Sequence, residues 1–307
     1  MRQPNIGGQN SILTNATTKY ILPHPPTMPT PKPSLNIALF QQNIAWENPQ
    51  ANFSKVAQAF DTALAGSHAD ILMVPETFNT GFGDHMARQA EPPQGPTFLF
   101  ALDIARRYDA LFVGSWTVKE NGMVYNRMHL VRPDGSCDFY DKAHTFRMSS
   151  EASQLARGTR RLVSQWRGWN IKPAVCYDLR FPLWLRNSND LNYDLLLVCA
   201  NWPGSRHMAW STLLRARAIE NLCYVAGCNR VGSDSTGIHY AGCSAIIDYK
   251  GLPISEIQPS LNADTPDDSV ITASLSASSL DAFRHHWPFN LDFDESTSFP
   301  QRSLGEA

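Results

Sequence analysis

The sequence lacks the features that mark several large classes of protein. No apolar run approaches the roughly 20 residues that cross a bilayer, and segment 195–198 is among the longest. Six cysteines in 307 residues are too sparse for a disulfide scaffold, and no Cys-x-x-Cys pair indicates zinc or a redox dithiol. We therefore expect no membrane span, and free thiols in a reducing compartment such as the cytoplasm.

The sequence also lacks an excess of charge of either sign. It has 26 Lys and Arg residues against 28 Asp and Glu residues, a formal net charge of -2. This balance gives no electrostatic reason to bind nucleic acid or an anionic membrane. The histidines show no metal-ligand spacing, and no Gly-x-Ser-x-Gly motif is present, which disfavours metallohydrolase and serine hydrolase chemistry.

Acidic residues are absent before Glu47, where Asn, Thr and Pro recur instead. This composition is typical of a flexible tail, and it lacks the apolar core of a secretory signal. We expect a tail over residues 1–34, one domain over 35–293 and a short C-terminal tail over 294–307.

The remaining sequence has the composition of a globular protein, with 43% hydrophobic and 18% charged residues. Strand-like and helix-like periodicities alternate at first and then give way to hairpins, one of them around Pro133-Asp134-Gly135. This order favours an α/β protein whose sheets are covered by helices on their outer faces. The predicted helices are 51–65, 97–108, 181–187 and one after Ser205, and the predicted strands are 35–40, 71–74, 111–118, 124–132, 137–140, 162–166, 171–175, 193–200, 223–229, 239–248 and 270–275.

Three reactive side chains directly follow predicted strands, where α/β proteins usually place their sites. Glu76 follows an apolar strand and Pro75, so partial burial would make it a better base. Lys142 follows the hairpin, and Cys176 stands at a strand-to-helix junction, where backbone N–H groups favour a thiolate and can receive an oxyanion. Alone, Glu76 could be a solvated turn residue and Lys142 a surface charge; together with the thiol they form an acyl-transfer set.

These segments resemble those of the nitrilase superfamily of carbon–nitrogen hydrolases, whose triad is Glu, Lys and Cys in this order. The matching motifs are Pro75-Glu76, the segment 140–144 around Lys142, and the Cys-Tyr-Asp-Leu-Arg-Phe-Pro segment that begins at Cys176. The resemblance implies a four-layer αββα sandwich that dimerises through helical faces near the nucleophile. Segments 141–148, 200–203 and 215–221 are similar to those of omega-amidases, which hydrolyse 2-oxoglutaramate.

The resemblance also implies roles for individual residues. Glu76 would act as the base, and Lys142 with the Tyr177 backbone N–H would stabilise the oxyanion, while Glu151 matches a second glutamate that aligns the triad. The substrate would be a small-molecule amide, cleaved through a thioester on Cys176 without a metal or organic cofactor.

Candidate substrate-binding residues surround these motifs. An omega-amide substrate carries a distant carboxylate, which a guanidinium can bind through two oxygens, and Arg147 and Arg206 are the candidates, although each could instead form a surface salt bridge. Arg180 is expected to order the cysteine loop together with Asp178. The other candidates to line the pocket, which could equally be core residues, are Phe146, Asn201 and Trp202.

The activity itself remains open between several possibilities. The triad performs acyl chemistry that is common to amidases, nitrilases and N-carbamoyl hydrolases, and pocket shape selects among their substrates. A catalytically silent sandwich that serves in assembly is the alternative from a different class. The intact triad favours an enzyme, and we predict an omega-amidase-like hydrolase.

Overall fold

The computed structural model describes residues 32–188, 192–260 and 268–292. They form two six-stranded sheets, a two-stranded ribbon and six α-helices. The helices are α1 (Pro49–Ala63), α2 (Pro96–Tyr108), α3 (Glu151–Gln154), α4 (Pro182–Leu185), α5 (His207–Asn221) and α6 (Ala277–His286). The strands are β1 (Ser34–Gln41), β2 (Ile71–Met73), β3 (Leu111–Glu120), β4 (Met123–Val131), β5 (Cys137–Asp141), β6 (Ser164–Trp166), β7 (Trp169–Val175), β8 (Leu195–Ala200), β9 (Tyr224–Asn229), β10 (Val231–Ser233), β11 (His239–Ala241), β12 (Ala245–Ile247), β13 (Pro253–Glu256) and β14 (Ser269–Ser276).

The two large sheets share one plan. The first has the order β14-β1-β2-β3-β4-β5 and the second β13-β12-β9-β8-β7-β6. In each, three parallel strands lie at the centre, β1 to β3 and β7 to β9, and the strands outside them run antiparallel. Loops that follow parallel strands leave from one edge of a sheet, so each sheet offers one edge on which a site can be built.

Side-chain alternation along the strands explains the layers. Along β1, Leu35, Ile37 and Leu39 enter the core between the two sheets, whereas Ala38 and Phe40 pack under α1 and α2. The strand β8 follows the same rule: Leu195, Leu197 and Cys199 face the other sheet, and the residues between them face α5. Because both faces are covered, β8 is apolar throughout and β1 is apolar from Ile37 to Phe40. The predicted four-layer αββα sandwich is confirmed.

Most predicted elements occur with small shifts at their ends, but one predicted strand was wrong. The predicted strand 239–248 is two strands, because Gly242 and Cys243 both adopt positive φ angles, +73° and +62°, that interrupt a pleated strand. The predicted helix after Ser205 is α5, which begins at His207 after a 3-10 turn and has Arg206 at its N-cap. The sequence pattern did not predict α6 or the short elements α3, β10 and β13.

The N-terminal part of the described chain is already tied to the sandwich at Lys32. Its Nζ donates to Asp70 Oδ1 at 2.7 Å, and its carbonyl accepts from Trp169 Nε1 at 3.0 Å. The fold therefore starts before the predicted boundary at residue 35. Residues 1–31 of the predicted tail 1–34 and the whole predicted tail 294–307 lie outside the described residues. Within those described residues, no helix combines the length and the apolar character that crossing a bilayer requires.

Candidate active site

A pocket of about 450 Å³ opens where loops from both sheets meet. The first sheet contributes loops that follow β1, β2 and β5, and the second contributes loops that follow β7 and β8. The turn between β10 and β11 of the two-stranded ribbon completes the lining. Lys142, Cys176 and Tyr177 line it, together with residues of its rim. Convergence of these loops brings together residues that are distant in the sequence.

Glu76 lies beneath this pocket, where it bonds to the lining residues Lys142 and Asn201. We call the buried groups in this position the floor of the pocket. The short strand β2 ends at Met73, and Glu76 follows it with no solvent exposure. Its Oε1 accepts from Lys142 Nζ at 2.8 Å and from Asn126 Nδ2 at 2.8 Å, and its Oε2 accepts from the Asn201 backbone N–H at 2.8 Å. These bonds hold both carboxylate oxygens in fixed directions.

Lys142 is buried among carboxylates. Its Nζ donates to Glu76 Oε1 and to both oxygens of Glu151, at 2.8 to 2.9 Å. Burial favours the neutral amine, but the negative charges of Glu151 and Glu76 outweigh it and raise the pKa of Lys142 well above its usual value. Burial, opposed by the Lys142 charge, raises the pKa of Glu151. The side chain of Lys142 is therefore a fixed ammonium ion at neutral pH.

Asn126 joins the two glutamates, and sequence reasoning did not find it. It lies on β4 beside the end of β5, where the Lys142 N–H donates to the Asn126 carbonyl at 2.9 Å. Ser115 Oγ donates to Asn126 Oδ1, which turns Asn126 Nδ2 toward Glu76 and Glu151, at 2.8 and 3.0 Å. Asn126 sits within a strand and carries no motif, so only the strand pairing reveals it.

Cys176 follows β7 in a conformation that is unusual for a residue with a side chain. Its φ angle is +46°, in the left-handed region, and a 3-10 turn over Cys176–Arg180 begins there. Such a conformation costs on the order of 1 kcal/mol or more and is frequent at functional sites. Burial and the neighbouring Glu76 carboxylate raise the pKa of the Cys176 thiol well above its usual value. The sulfur is therefore a thiol at neutral pH, and it needs a base before it can attack.

Asp178 ties the cysteine loop to the lysine loop. Its Oδ2 accepts from the Val175 backbone N–H at 3.1 Å and from Tyr140 Oη at 2.8 Å. Its Oδ1 accepts from the His144 backbone N–H at 2.9 Å and lies 2.7 Å from His144 Nδ1. One buried carboxylate thus fixes the spacing between the segments that carry Cys176 and Lys142.

The rim of the pocket is cationic and aromatic. The Arg206 guanidinium lies 5.5 Å from the Phe146 ring, and the Arg180 guanidinium lies 4.8 Å from the Trp202 ring. All four residues line the pocket, and both arginines are exposed. Arg180 was expected to order the cysteine loop with Asp178; it faces the pocket instead, because Tyr140, His144 and Val175 already satisfy Asp178.

Three predicted substrate-binding residues, Arg147, Asn201 and Trp202, have other surroundings than a position on the open rim. Arg147 does not line this pocket; it lies in a neighbouring cavity, while Phe146 and Met148 on either side of it line the pocket. Asn201 does line the pocket, but its Nδ2 donates to the Glu76 carbonyl at 2.5 Å and to Thr77 Oγ1 at 3.1 Å. Trp202 is almost wholly buried and donates from Nε1 to the Arg206 carbonyl.

The site offers no set of side chains typical of a metal centre. Over residues 32–188, 192–260 and 268–292, no three His, Cys, Asp or Glu side chains are grouped as metal ligands would be. The charged groups around Cys176 are instead two carboxylates and an ammonium ion, bonded to one another. Such a set can move a proton and stabilise developing negative charge.

Comparison with known proteins agrees with this geometry. The family model for carbon-nitrogen hydrolases matches residues 36–285. The chain belongs to the carbon–nitrogen hydrolase family. The omega-amidase YafV of Escherichia coli strain K12 is 42% identical over 264 residues, which cover 86% of this chain and 98% of that protein. The 2-oxoglutaramate amidase of Bacillus subtilis is 33% identical over 223 residues, covering 72% of this chain and 85% of that protein.

A solved structure supports the same assignment. A carbon–nitrogen hydrolase superfamily protein of Xanthomonas campestris, with an arsenic adduct in its active site, superposes with a TM-score of 0.79 at 42% identity. The match covers 85% of this chain and 97% of that protein. The predicted superfamily, the likeness to omega-amidases and the assignment as an amidase of this family are confirmed.

Proposed function

We propose that this protein hydrolyses the terminal carboxamide of a small acid, of the 2-oxoglutaramate type, to a carboxylate and ammonia. The observation that carries the proposal is the convergence of a thiol, a carboxylate and an ammonium ion, Cys176, Glu76 and Lys142, at the floor of one pocket. The relatives named as omega-amidase and 2-oxoglutaramate amidase support both the reaction and the substrate class.

Acylation begins with removal of the thiol proton. Glu76 takes the proton from Cys176 as the sulfur attacks the amide carbon. Because the proton leaves during the attack, the thiol can react although its pKa is raised. The tetrahedral intermediate collapses when its C–N bond breaks, and Glu76 returns the proton to the departing nitrogen. Ammonia leaves, and the acyl group remains on Cys176 as a thioester.

Deacylation reuses the same carboxylate. Glu76 takes a proton from a water molecule that attacks the thioester carbon, and it then gives the proton back to the Cys176 sulfur as the C–S bond breaks. The product is the free carboxylic acid. Proton transfer and charge stabilisation come from the protein's own side chains in both half-reactions.

Negative charge on the carbonyl oxygen is stabilised by two donors. The Lys142 ammonium is held in place by Glu76 and Glu151, and the Tyr177 N–H follows the nucleophile at the start of the 3-10 turn. Donors that are already oriented in a buried site need no reorganisation in the transition state, which makes them effective. Glu151 acts by fixing Lys142.

Selection of the substrate falls to the rim. Arg180 and Arg206 both face the pocket, and among the described residues neither forms an ion pair. A carboxylate at the far end of the substrate would give these guanidinium groups a bidentate partner. We therefore assign carboxylate binding to Arg180 and Arg206, with Phe146 and Trp202 as apolar walls.

We also propose that two copies of the chain form a dimer. Three large apolar side chains on the helices covering the second sheet are exposed, Leu183 on α4 and Met208 and Ile219 on α5. Exposed apolar groups on one face favour an interface between copies. Light scattering should give twice the chain mass of 34.2 kDa. The six free thiols are compatible with a reducing, cytoplasmic location.

Ammonia release tests the proposed activity. Rates should be compared for 2-oxoglutaramate, glutamine, a simple nitrile and an N-carbamoyl amine at equal concentrations, with the Cys176→Ala variant as the blank. We expect the highest kcat/KM for 2-oxoglutaramate. Preference for the nitrile or the carbamoyl amine would contradict the substrate class, and no turnover of any of the four would favour a silent assembly domain.

A further inference from the structure

Six arginines that form no ion pair among the described residues lie on the rim of the pocket or in the segment that follows Lys142. Eight arginines of the described chain pair with carboxylates, and they are Arg88, Arg107, Arg127, Arg132, Arg167, Arg215, Arg217 and Arg284. Arg180 and Arg206, which face the pocket, do not. In the segment that follows Lys142, the exposed residues Arg147, Arg157, Arg160 and Arg161 likewise form no ion pair among the described residues. This concentration of uncompensated charge contrasts with the overall charge of -2.

Two of these arginines line a second cavity. It has a volume of about 570 Å³, and it shares Tyr177 of the cysteine loop with the pocket. Its lining residues include His144, Thr145, Arg147, Arg157, Tyr177 and Phe181. No carboxylate of the described residues lines it, so its two arginines give it a positive charge.

A row of aromatic rings separates the second cavity from the pocket. The Phe146 ring packs edge-on against Tyr177 at 5.2 Å, and Tyr177 packs edge-on against Phe181 at 5.2 Å. Phe181 in turn stacks on His144 at 3.7 Å. Phe146 lines only the pocket, Phe181 and His144 only the second cavity, and Tyr177 both. A ligand in the second cavity would therefore leave the pocket open to substrate.

Arg157 is held rigidly at the edge of this cavity. Its Nε donates to the Ala143 carbonyl at 2.7 Å, and the next residue, Gly158, donates from its N–H to the Lys142 carbonyl at 2.9 Å. Gly158 packs so closely on Asp141 that an added Cβ would come within 2.0 Å of its carbonyl oxygen. Because Nε is used by the backbone, the two Nη groups remain for a ligand, and little side-chain entropy is lost when they bind one.

We propose that the second cavity binds the oxyanion group, carboxylate or phosphate, of a small metabolite between Arg147 and Arg157. Guanidinium groups match such oxygens with paired charge-assisted hydrogen bonds. The Thr145 hydroxyl is a further donor at the same cavity, and Tyr177 and Phe181 provide apolar surface for the rest of the molecule. The bound anion contacts segments that carry both Lys142 and Cys176, without occupying the substrate pocket.

Isothermal titration calorimetry on the full-length protein tests this site. The Arg180→Gln/Arg206→Gln double variant serves as the background, because it removes the cations of the substrate pocket. Inorganic phosphate and glutarate are titrated separately at constant ionic strength. We expect one saturable site per chain for at least one of them, and the stronger ligand identifies phosphate or carboxylate as the natural group.

Adding Arg147→Gln to the background should weaken binding about tenfold, because one of two charge-assisted partners is lost. This residue is exposed and makes no hydrogen bond among the described residues, so the variant should fold. The matched control adds Arg160→Gln and Arg161→Gln, which remove more charge from the same segment but do not line the cavity. Binding within twofold of the background is expected there. No saturable binding of either anion, or equal weakening by the control, would overturn the proposal.

Discussion

The floor and the rim of the pocket are built in opposite ways. On the floor, Glu76, Lys142, Glu151 and Asn126 have at most 1% of their surface exposed, and they bond to one another. On the rim, Arg180 and Arg206 are exposed and contact aromatic rings, and neither pairs with a carboxylate of the described residues. The polar groups of the floor are therefore paired before substrate binds, whereas the guanidinium groups of the rim can still bind a carboxylate.

This difference suits the floor to stabilising the transition state and the rim to selecting the substrate. Charge that develops in a transition state is stabilised best by groups already fixed in a buried environment. Selection among substrates needs groups whose partners come from the substrate itself. Substitutions on the floor should therefore lower kcat for every substrate, and substitutions on the rim should change the ranking of substrates.

The largest effect is expected at the nucleophile. Cys176→Ala should reduce kcat by a factor of about 10⁴ or more, since no thioester can form. The fold should persist, as judged by circular dichroism. Cys137→Ala is the matched control, because Cys137 lies on β5 and does not line the pocket. Near wild-type turnover by Cys176→Ala would show that Cys176 is not the nucleophile, and that the buried groups beside it do not determine kcat.

Lys142→Met should lower kcat by a factor of about 10³, because an oxyanion donor is lost. It also leaves two buried carboxylates without their cation, which costs about 3 kcal/mol of unfolding free energy. Denaturant titrations at several pH values check this.

The sign of the pH effect follows from the pKa shifts. The pKa of Lys142 is raised in the folded protein, so its stabilisation is complete below the unfolded value of about 10.5 and is lost only as the pH rises through the folded value. The pKa of Glu151 is also raised, so its carboxyl group takes up a proton as the pH falls. The stability gap between wild type and Lys142→Met should therefore narrow on acidification. A gap that is constant from pH 8 to pH 4 would contradict the buried charge network.

Asn126→Leu tests whether the bridging amide belongs to the floor. It removes the donor shared by Glu76 and Glu151, and we expect kcat to fall about 100-fold and stability by about 2 kcal/mol. KM should change little. A variant with raised KM and normal kcat would place Asn126 among the groups that select substrates. The conservative variant Asn126→Gln keeps the amide and should recover part of kcat.

The smallest effect is expected at the rim. Arg180→Gln and Arg206→Gln should each lower kcat/KM for 2-oxoglutaramate about tenfold, mainly through KM. Activity on butyramide, which has no carboxylate, should stay within twofold. Arg106→Gln is the control, since this arginine is exposed and its side chain bonds, among the described residues, only to the Pro133 carbonyl. Equal losses on both substrates would show that these arginines support catalysis in general and do not select the substrate.

The sequence allowed prediction of the groups whose type and local motif carry the chemistry. Glu76, Lys142 and Cys176 each follow a strand within a recognisable segment, so both the residues and the sandwich could be predicted. Asn126 could not, because an asparagine in mid-strand has no local signal, and its role depends on the pairing of β4 with β5. Which cavity the side chains of Arg147 and Arg180 line depends on the backbone conformation of two turns, and residue spacing does not determine it.

We expect an acyl group to pass through Cys176 in every turnover. Protein mixed with 2-oxoglutaramate should be quenched in acid during turnover, digested and examined by mass spectrometry. We expect the peptide that contains Cys176 to gain the mass of the acyl group left after loss of ammonia, and the Cys176→Ala variant to show no such gain. Steady ammonia release with an unmodified Cys176 peptide, or with the acyl group on another residue, would contradict the account.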